Sequence, residues 1–483
     1  MSAQPSKRAL AGAVATLAAM ATATALGSTG SVASAAPSHQ PDYPTPQQAL
    51  PKRVHFVSST HRIEPGYSDV SRHFTPDGIQ KSYNLPALYD EGYDGSGTTI
   101  AIVDSFGYPQ AAADLKEFSQ AYDLPMMCGM PDVACDDDMP TFKTLTFGNH
   151  QVMDPPPSSS PGQENSNAWS IEVALDIEYA HTVAPGANIL LVTTPTAETL
   201  GVQGFPTMMN AEQYVVDHHL ADVVSQSFGA AEDSFGSKQS LENLRHAFVS
   251  GTKEGVTFLA SSGDYGSLGF SKQPVGQGGS TLDSPQVGWP ASDPLVTAVG
   301  GTNLCTSPLD GTLDSEHPPT MCENNPGDRE VGWNGSGGGF SHDFARPPYQ
   351  DSLPQGSGTI PTTARGVPDI SMDASCYTWV AVYDTAPGFD GYYGVCGTSA
   401  ASPMFAGVVA IADQVAGHDL GQINDNLYRL GDGPGVYDVT TGDNTQDGSG
   451  VEGYPATAGW DAVTGLGSPA DAQAFVHALA SSD

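Results

Sequence analysis

The 483-residue chain carries 54 acidic against 17 basic residues, a formal net charge of −37, with 39% hydrophobic and only 15% charged positions. So acidic a surface repels polyanions, which excludes nucleic acid and the anionic membrane surface as partners. The length permits a large buried core, and 55 Gly with 38 Pro fit a loop-rich globular protein and not a disordered chain.

Lys7 and Arg8 precede an Ala-rich apolar stretch from Ala9 to Leu26, and Ala33-Ser34-Ala35 offers a small-residue cleavage site. The pattern predicts a secretory signal peptide over 1–36 and hence a secreted, extracellular protein. Thr and Gly interruptions in the stretch argue against a membrane anchor, and no other segment of the sequence predicts a span. Residues 37–73 begin rich in Pro and Gln and predict an extended linker or short N-terminal arm. Globular patterning starts near Phe74, so one catalytic-size domain is expected over 74–483.

Thr99-Ile100-Ala101-Ile102-Val103 follows Gly95-Ser96-Gly97 and is almost wholly apolar, as a strand buried on both faces must be. Similar runs recur at 189–192, 223–225, 256–260 and 296–299. Between them, Ala168 to His181, Thr207 to His218 and Leu241 to Lys253 carry helical periodicity. Strands alternating with helices predict an α/β fold, three layers with a mainly parallel central sheet and helices on both faces. Active sites in such sheets lie at the carboxyl ends of the strands.

The six cysteines form three close sequence pairs, Cys128 with Cys135, Cys305 with Cys322, and Cys376 with Cys396. Export makes three local disulfides the default, although six thiols formally allow other pairings. No Cys-x-x-Cys spacing suggests a zinc site.

Helix-forming Trp169-Ser170-Ile171-Glu172-Val173-Ala174-Leu175-Asp176-Ile177-Glu178 places Glu172 and Asp176 one turn apart on one face. Two acids at this spacing usually mark a solvated face; here the apolar flanks leave little polar surface and favour a buried pair that shares a proton. Further on, Phe258 to Ala260 runs into Ser261-Ser262-Gly263-Asp264, where Asp264 is either a turn former or an acid at a strand end. Last comes Gly397-Thr398-Ser399-Ala400-Ala401-Ser402-Pro403, leading into an apolar helical stretch. Ser399 then sits at a helix N-terminus, where backbone N–H groups favour a developing oxyanion.

A serine needs a base to become a nucleophile. Subtilisin-like proteases share the Gly-Thr-Ser-Ala-Ala-Ser-Pro run and take the base from a His-Gly-Thr segment, yet none of the 13 histidines here precedes glycine. With Glu172, Asp176 and Asp264 added, the chain resembles the sedolisin family of serine-carboxyl peptidases, from about Phe74 to the C-terminus. The resemblance implies a subtilisin-like fold with Ser399 as nucleophile, Glu172 as general acid/base, Asp176 orienting Glu172, and Asp264 as oxyanion donor. It also implies that Asp104 extends the carboxylate network. Trp289-Pro290-Ala291, Val299-Gly300-Gly301-Thr302 and Gly337-Gly338-Gly339-Phe340-Ser341 look like further family segments.

The expected activity is a secreted endopeptidase acting in acid on protein or peptide substrates, as a monomer. The alternatives are a tripeptidyl-type exopeptidase of the same family and a non-catalytic binding protein on the same fold. A glutamate of reference pKa about 4.3 stays ionised where imidazole is protonated, while Asp264 must keep its proton to donate; both conditions hold only in acid.

Two departures stand out. The family carries a long folded propeptide, whereas residues 37–72 are too few for an ordinary independent core. Phe228 occupies a place where some relatives have a tryptophan, and it brings no indole N–H. Near the C-terminus, Asp438-Val439 and Thr457 to Gly467 resemble the family's calcium site. That match implies carboxylates from Asp438 and Asp461 and carbonyls from Val439, Thr457 and Gly459, oxygen ligands suited to Ca²⁺. An acidic turn is the bland alternative, with Asp443, Asp447 and Glu452 close in sequence.

Overall fold

All five apolar runs are strands in the computed structural model, and they lie side by side. The structure describes residues 72–482 apart from 161–162, 164–165, 197–201, 271–280, 315–319, 352–359, 361–362 and 447. The expected signal peptide and the arm up to residue 71 lie outside the described residues.

The main sheet comprises β1 (Thr99–Ser105), β2 (Phe142–Gly148), β3 (Gln151–Met153), β4 (Asn188–Thr194), β5 (Val223–Gln226), β6 (Thr257–Ser261), β7 (Thr297–Leu304), β8 (Glu330–Gly332) and β9 (Ile370–Asp373). Their order is β8-β7-β6-β5-β1-β4-β2-β3, with β9 also paired to β7. The run from β7 to β2 is parallel throughout; β8 and β3 join it antiparallel. Strand β2 escapes the sequence reading because Lys143 and Thr144 break its apolar run, both being exposed at this end of the sheet.

Side-chain alternation splits the core in two. Ile100 and Ile102 of β1 join the cluster built by helices α1 (Ser166–Val183) and α4 (Thr398–Ala416). Ala101 and Val103 face the opposite cluster, with Met208 and Val215 of α2 (Phe205–Asp217) and Phe248 of α3 (His246–Glu254). Helices therefore cover both faces, and the three-layer α/β fold is as expected. Where α1 and α4 touch, a Cβ on Gly407 would sit 2.7 Å from Cβ of Val183, so only glycine permits this approach. Helix α4 is long and apolar enough to cross a membrane, yet its residues 398–413 are all buried within the protein.

Two expectations change. The helix expected from Leu241 to Lys253 is two helices, Lys238–Glu242 and α3, separated by residues 243–245. At the break, Arg245 grips the buried Asp293, Nε to Oδ2 at 2.5 Å and Nη2 to Oδ1 at 2.7 Å. Second, the arm does not stay apart from the fold up to residue 73. Arg72–Phe74 is a strand parallel to Thr378–Val380, in a small sheet completed by Gly391–Val395, because Phe74 is fully buried and draws its neighbours into register.

The three cysteine pairs form disulfides as expected, and no free cysteine is present among the described residues.

Candidate active site

The turn before α4 prepares its first residues. Gly397 adopts φ 130°, which side-chain-bearing residues rarely reach, and its N–H donates to the Ala374 carbonyl at 2.7 Å. One residue earlier, Cys396 is bonded to Cys376. Ser399 is thus the second residue of a helix whose entry is fixed from both sides. Four residues on, Pro403 has no N–H to give the Ser399 carbonyl, and the Ser227 hydroxyl lies 3.4 Å from that oxygen instead.

Asp264 caps the same helix. Its Oδ1 accepts from the Thr398 N–H at 2.7 Å and from the Thr398 hydroxyl at 2.9 Å, while that hydroxyl accepts from Gly263 N at 3.0 Å. Burial pushes the carboxyl up to about 6, against the downward pull of the Thr398 donors. With Oδ1 already accepting two hydrogens, a proton on Asp264 resides on Oδ2.

The sequence-predicted acids converge at the carboxyl end of β1. Glu172 is 4% exposed and Asp176 fully buried on α1, and Asp104, fully buried, is the last residue but one of β1. Burial first, then the charges of Asp104 and Glu172, hold Asp176 far above the ordinary carboxylate range. Burial raises Asp104 to about 7. Three carboxyls in one apolar enclosure cannot all ionise, so the group holds protons in common.

Glu172, Asp264 and Ser399 line one half-open cleft of about 800 Å³, solvent at its mouth included, whereas Asp104 and Asp176 are not among its lining residues. Ser227, Phe228 and Ala230, just after β5, line it together with Ser261 to Gly266 at the end of β6. The cleft therefore opens where β5 and β6 end, beside β1, at which the strand order turns back on itself. Phe228, noted for its missing indole N–H, packs on Phe205 with ring centroids 5.9 Å apart and presents an apolar surface.

The C-terminal segment also folds as a unit. Asp461 receives N–H groups from Thr457, Val463 and Thr464, and Asp438 receives that of Gly459. Both carboxylates thus bind one loop, 457–459. Asp438 Oδ1 is buried with no hydrogen-bond partner, and burial raises Asp461 to about 7. An unmatched buried carboxylate oxygen beside carbonyl-bearing loop residues fits a hard cation. Among the described residues no cluster of three His, Cys, Asp or Glu side chains is placed to hold a metal, so a cation here would rely on Asp438, Asp461 and the carbonyls of Val439, Thr457 and Gly459.

Sequence reading missed Ser227, Thr398 as partner of Asp264, and the buried Asp384, whose hydrogen bond to Ser170 spans 214 positions. No local signal marks Asp384; strand pairing alone brings it there.

The model of the Subtilase family matches residues 160–422. The chain is 31% identical over 407 residues to kumamolisin of Bacillus sp. (strain MN-32), covering 82% of this chain and 62% of kumamolisin. It is 30% identical over 461 residues to tripeptidyl-peptidase 1 of Macaca fascicularis, covering 87% and 69%. Among solved structures, Pseudomonas sedolisin, a serine-carboxyl proteinase complexed with two molecules of pseudo-iodotyrostatin, matches with TM-score 0.62 and 26% identity over 84% of this chain and 98% of that one. The fold and the buried carboxyls beside a serine-bearing helix define a subtilisin-like protein, and the chain belongs to the subtilase family, in its sedolisin branch. It spans just over three fifths of kumamolisin's length.

Proposed function

We propose that the chain is a secreted serine-carboxyl peptidase that hydrolyses internal peptide bonds of protein substrates in acid, acting as a monomer. The observation that carries this reading is the meeting of Ser399, Glu172 and Asp264 in one cleft. Glu172, ionised, takes the proton of Ser399 Oγ as that oxygen attacks the scissile carbonyl. Protonated Asp264 donates from Oδ2 to the oxyanion, helped by the positive end of α4. Glu172 then returns the proton to the leaving amine, and water releases the acyl group by the reverse path. Asp176 and Asp104 hold the shared protons behind Glu172 and keep its carboxyl directed into the cleft.

Secretion is supported by the signal-like N-terminus and by three disulfides, which persist in oxidising compartments. Calcium, bound by Asp438 and Asp461 with the carbonyls of Val439, Thr457 and Gly459, would neutralise two carboxylates and tie their loops. A tripeptidyl-type exopeptidase is the second reading, favoured by the similarity to tripeptidyl-peptidase 1.

Digestion of a denatured protein between about pH 3 and 7 by wild type and Ser399→Ala, with mass spectrometry of the fragments, tests the assignment. Internal fragments that vanish with Ser399→Ala are expected. Uniform N-terminal tripeptides would select the exopeptidase, and undiminished cleavage by the variant would remove Ser399 from the mechanism.

A further inference from the structure

Helix α1 meets a second group of buried carboxyls that the proposed mechanism does not use. Asp384 ends the strand Thr378–Asp384 and is fully buried, Glu178 lies on α1, and Asp114 lies on the helix Ala111–Ala121. Asp114 has a donor for each oxygen, Thr385 N at 2.8 Å and the Thr385 hydroxyl at 2.6 Å, so it is satisfied as a carboxylate. Asp384 is different. Its Oδ1 accepts from Ala386 N at 2.7 Å, but its Oδ2 lies 2.6 Å from Ser170 Oγ, which is itself 2.8 Å from the Asn167 carbonyl.

The single hydroxyl hydrogen of Ser170 cannot serve both short contacts. With Asp384 ionised, one of them would set lone pair against lone pair. A proton on Asp384 Oδ2 resolves the count, since Asp384 then donates to Ser170 and Ser170 donates to Asn167.

We infer that Asp384 is a proton-bearing positioning residue: through Ser170 it locks the first turn of α1, from which Glu172 projects into the cleft, and the lock opens when Asp384 ionises. This rests on the peptidase reading of Glu172. The surroundings favour the proton. Glu178, whose Oε2 accepts from Tyr383 N at 3.0 Å and whose Oε1 finds no donor, and Asp114 with its neighbour Glu117 supply only negative charge. Tyr108, Tyr122, Tyr383 and Tyr392 complete the surroundings. The basic side chains of the two helices are engaged elsewhere, Lys116 with the Pro131 carbonyl and His181 with that of Pro125. Burial pushes Asp384 up to about 6.

The test compares Asp384→Asn with its parent in an Asp264→Asn background, so that the oxyanion acid no longer sets the alkaline limb. An Asn amide donates to Ser170 at every pH. The alkaline limb of kcat/KM is expected to move up by about one pH unit. Adding Ser170→Ala should lower kcat/KM severalfold and erase the difference between Asp384 and Asn. Identical alkaline limbs in two folded proteins of equal melting temperature would overturn the lock. A readout free of turnover is the ¹³C carboxyl titration of Asp384 in Ser399→Ala protein. A midpoint about two units above free aspartate supports the proposal, and an ordinary one overturns it. If Ser399→Ala still digests substrate, the assignment of Ser399 as nucleophile fails, while this titration decides the lock by itself.

Discussion

At the scale of single residues, Asp264 shows most directly how burial sets chemistry. In the proposed mechanism it must be protonated to donate, and its carboxyl, raised to about 6, loses that proton as pH climbs through this value. Asp264→Ala should lower kcat about 100- to 1000-fold, as removal of an oxyanion donor does. Asp264→Asn should keep a donor and carry activity to higher pH; a pH–rate profile of the two variants checks both. The settings of Ser399, Glu172, Asp176 and Asp264, at a helix start, on one buried helix and after a buried strand, were legible in the sequence because the flanks fix them: small residues around Ser399, apolar neighbours around the two helical acids, a buried strand ahead of Asp264. Asp384 was not legible. Its strand, Thr378–Asp384, pairs with Arg72–Phe74 and Gly391–Val395, and only that arrangement carries it to Ser170.

Elements follow the same division. The parallel strands could be read from apolar runs, since a strand covered on both faces leaves no alternation to confuse. The break between Lys238–Glu242 and α3 could not, because it is made by Arg245 reaching Asp293 across the tertiary fold. The loop spanning 438–461 is the element whose behaviour is easiest to probe. Its two carboxylates hold backbone N–H groups but leave Asp438 Oδ1 unmatched. Chelation should lower the melting temperature of the folded protein, added Ca²⁺ should restore it, and Asp461→Ala should abolish the response. A melting temperature indifferent to chelator would mean that the acids serve the turn alone.

For the whole molecule, buried acids outnumber every opposing term. Burial raises Asp104 to about 7 and Asp413 to about 8, and holds Glu178, Glu212 and Asp373 well above the usual range. Their folded values exceed their unfolded ones, so between about pH 4 and 8 the native state binds more protons and stability falls as pH rises. Buried His181, lowered to about 4, works the other way, costing stability as pH falls from about 6.5, and so do the exposed Glu91 and Asp310, whose hydrogen-bond donors hold them below the ordinary carboxylate value. The melting temperature should therefore peak in acid and decline toward neutrality, each excess native proton contributing about 1.4 kcal/mol per pH unit. A flat profile from acid to neutral pH would contradict it. Another global property follows from Pro403. Because Pro403 has no N–H to give, the Ser399 carbonyl is met by Ser227, so the proposed nucleophile is tethered to the cleft wall on which its substrate would lie. At 3.4 Å the bond is long, with room to tighten, so a peptide pressing on that wall would be expected to shorten it and draw the Ser399 backbone along.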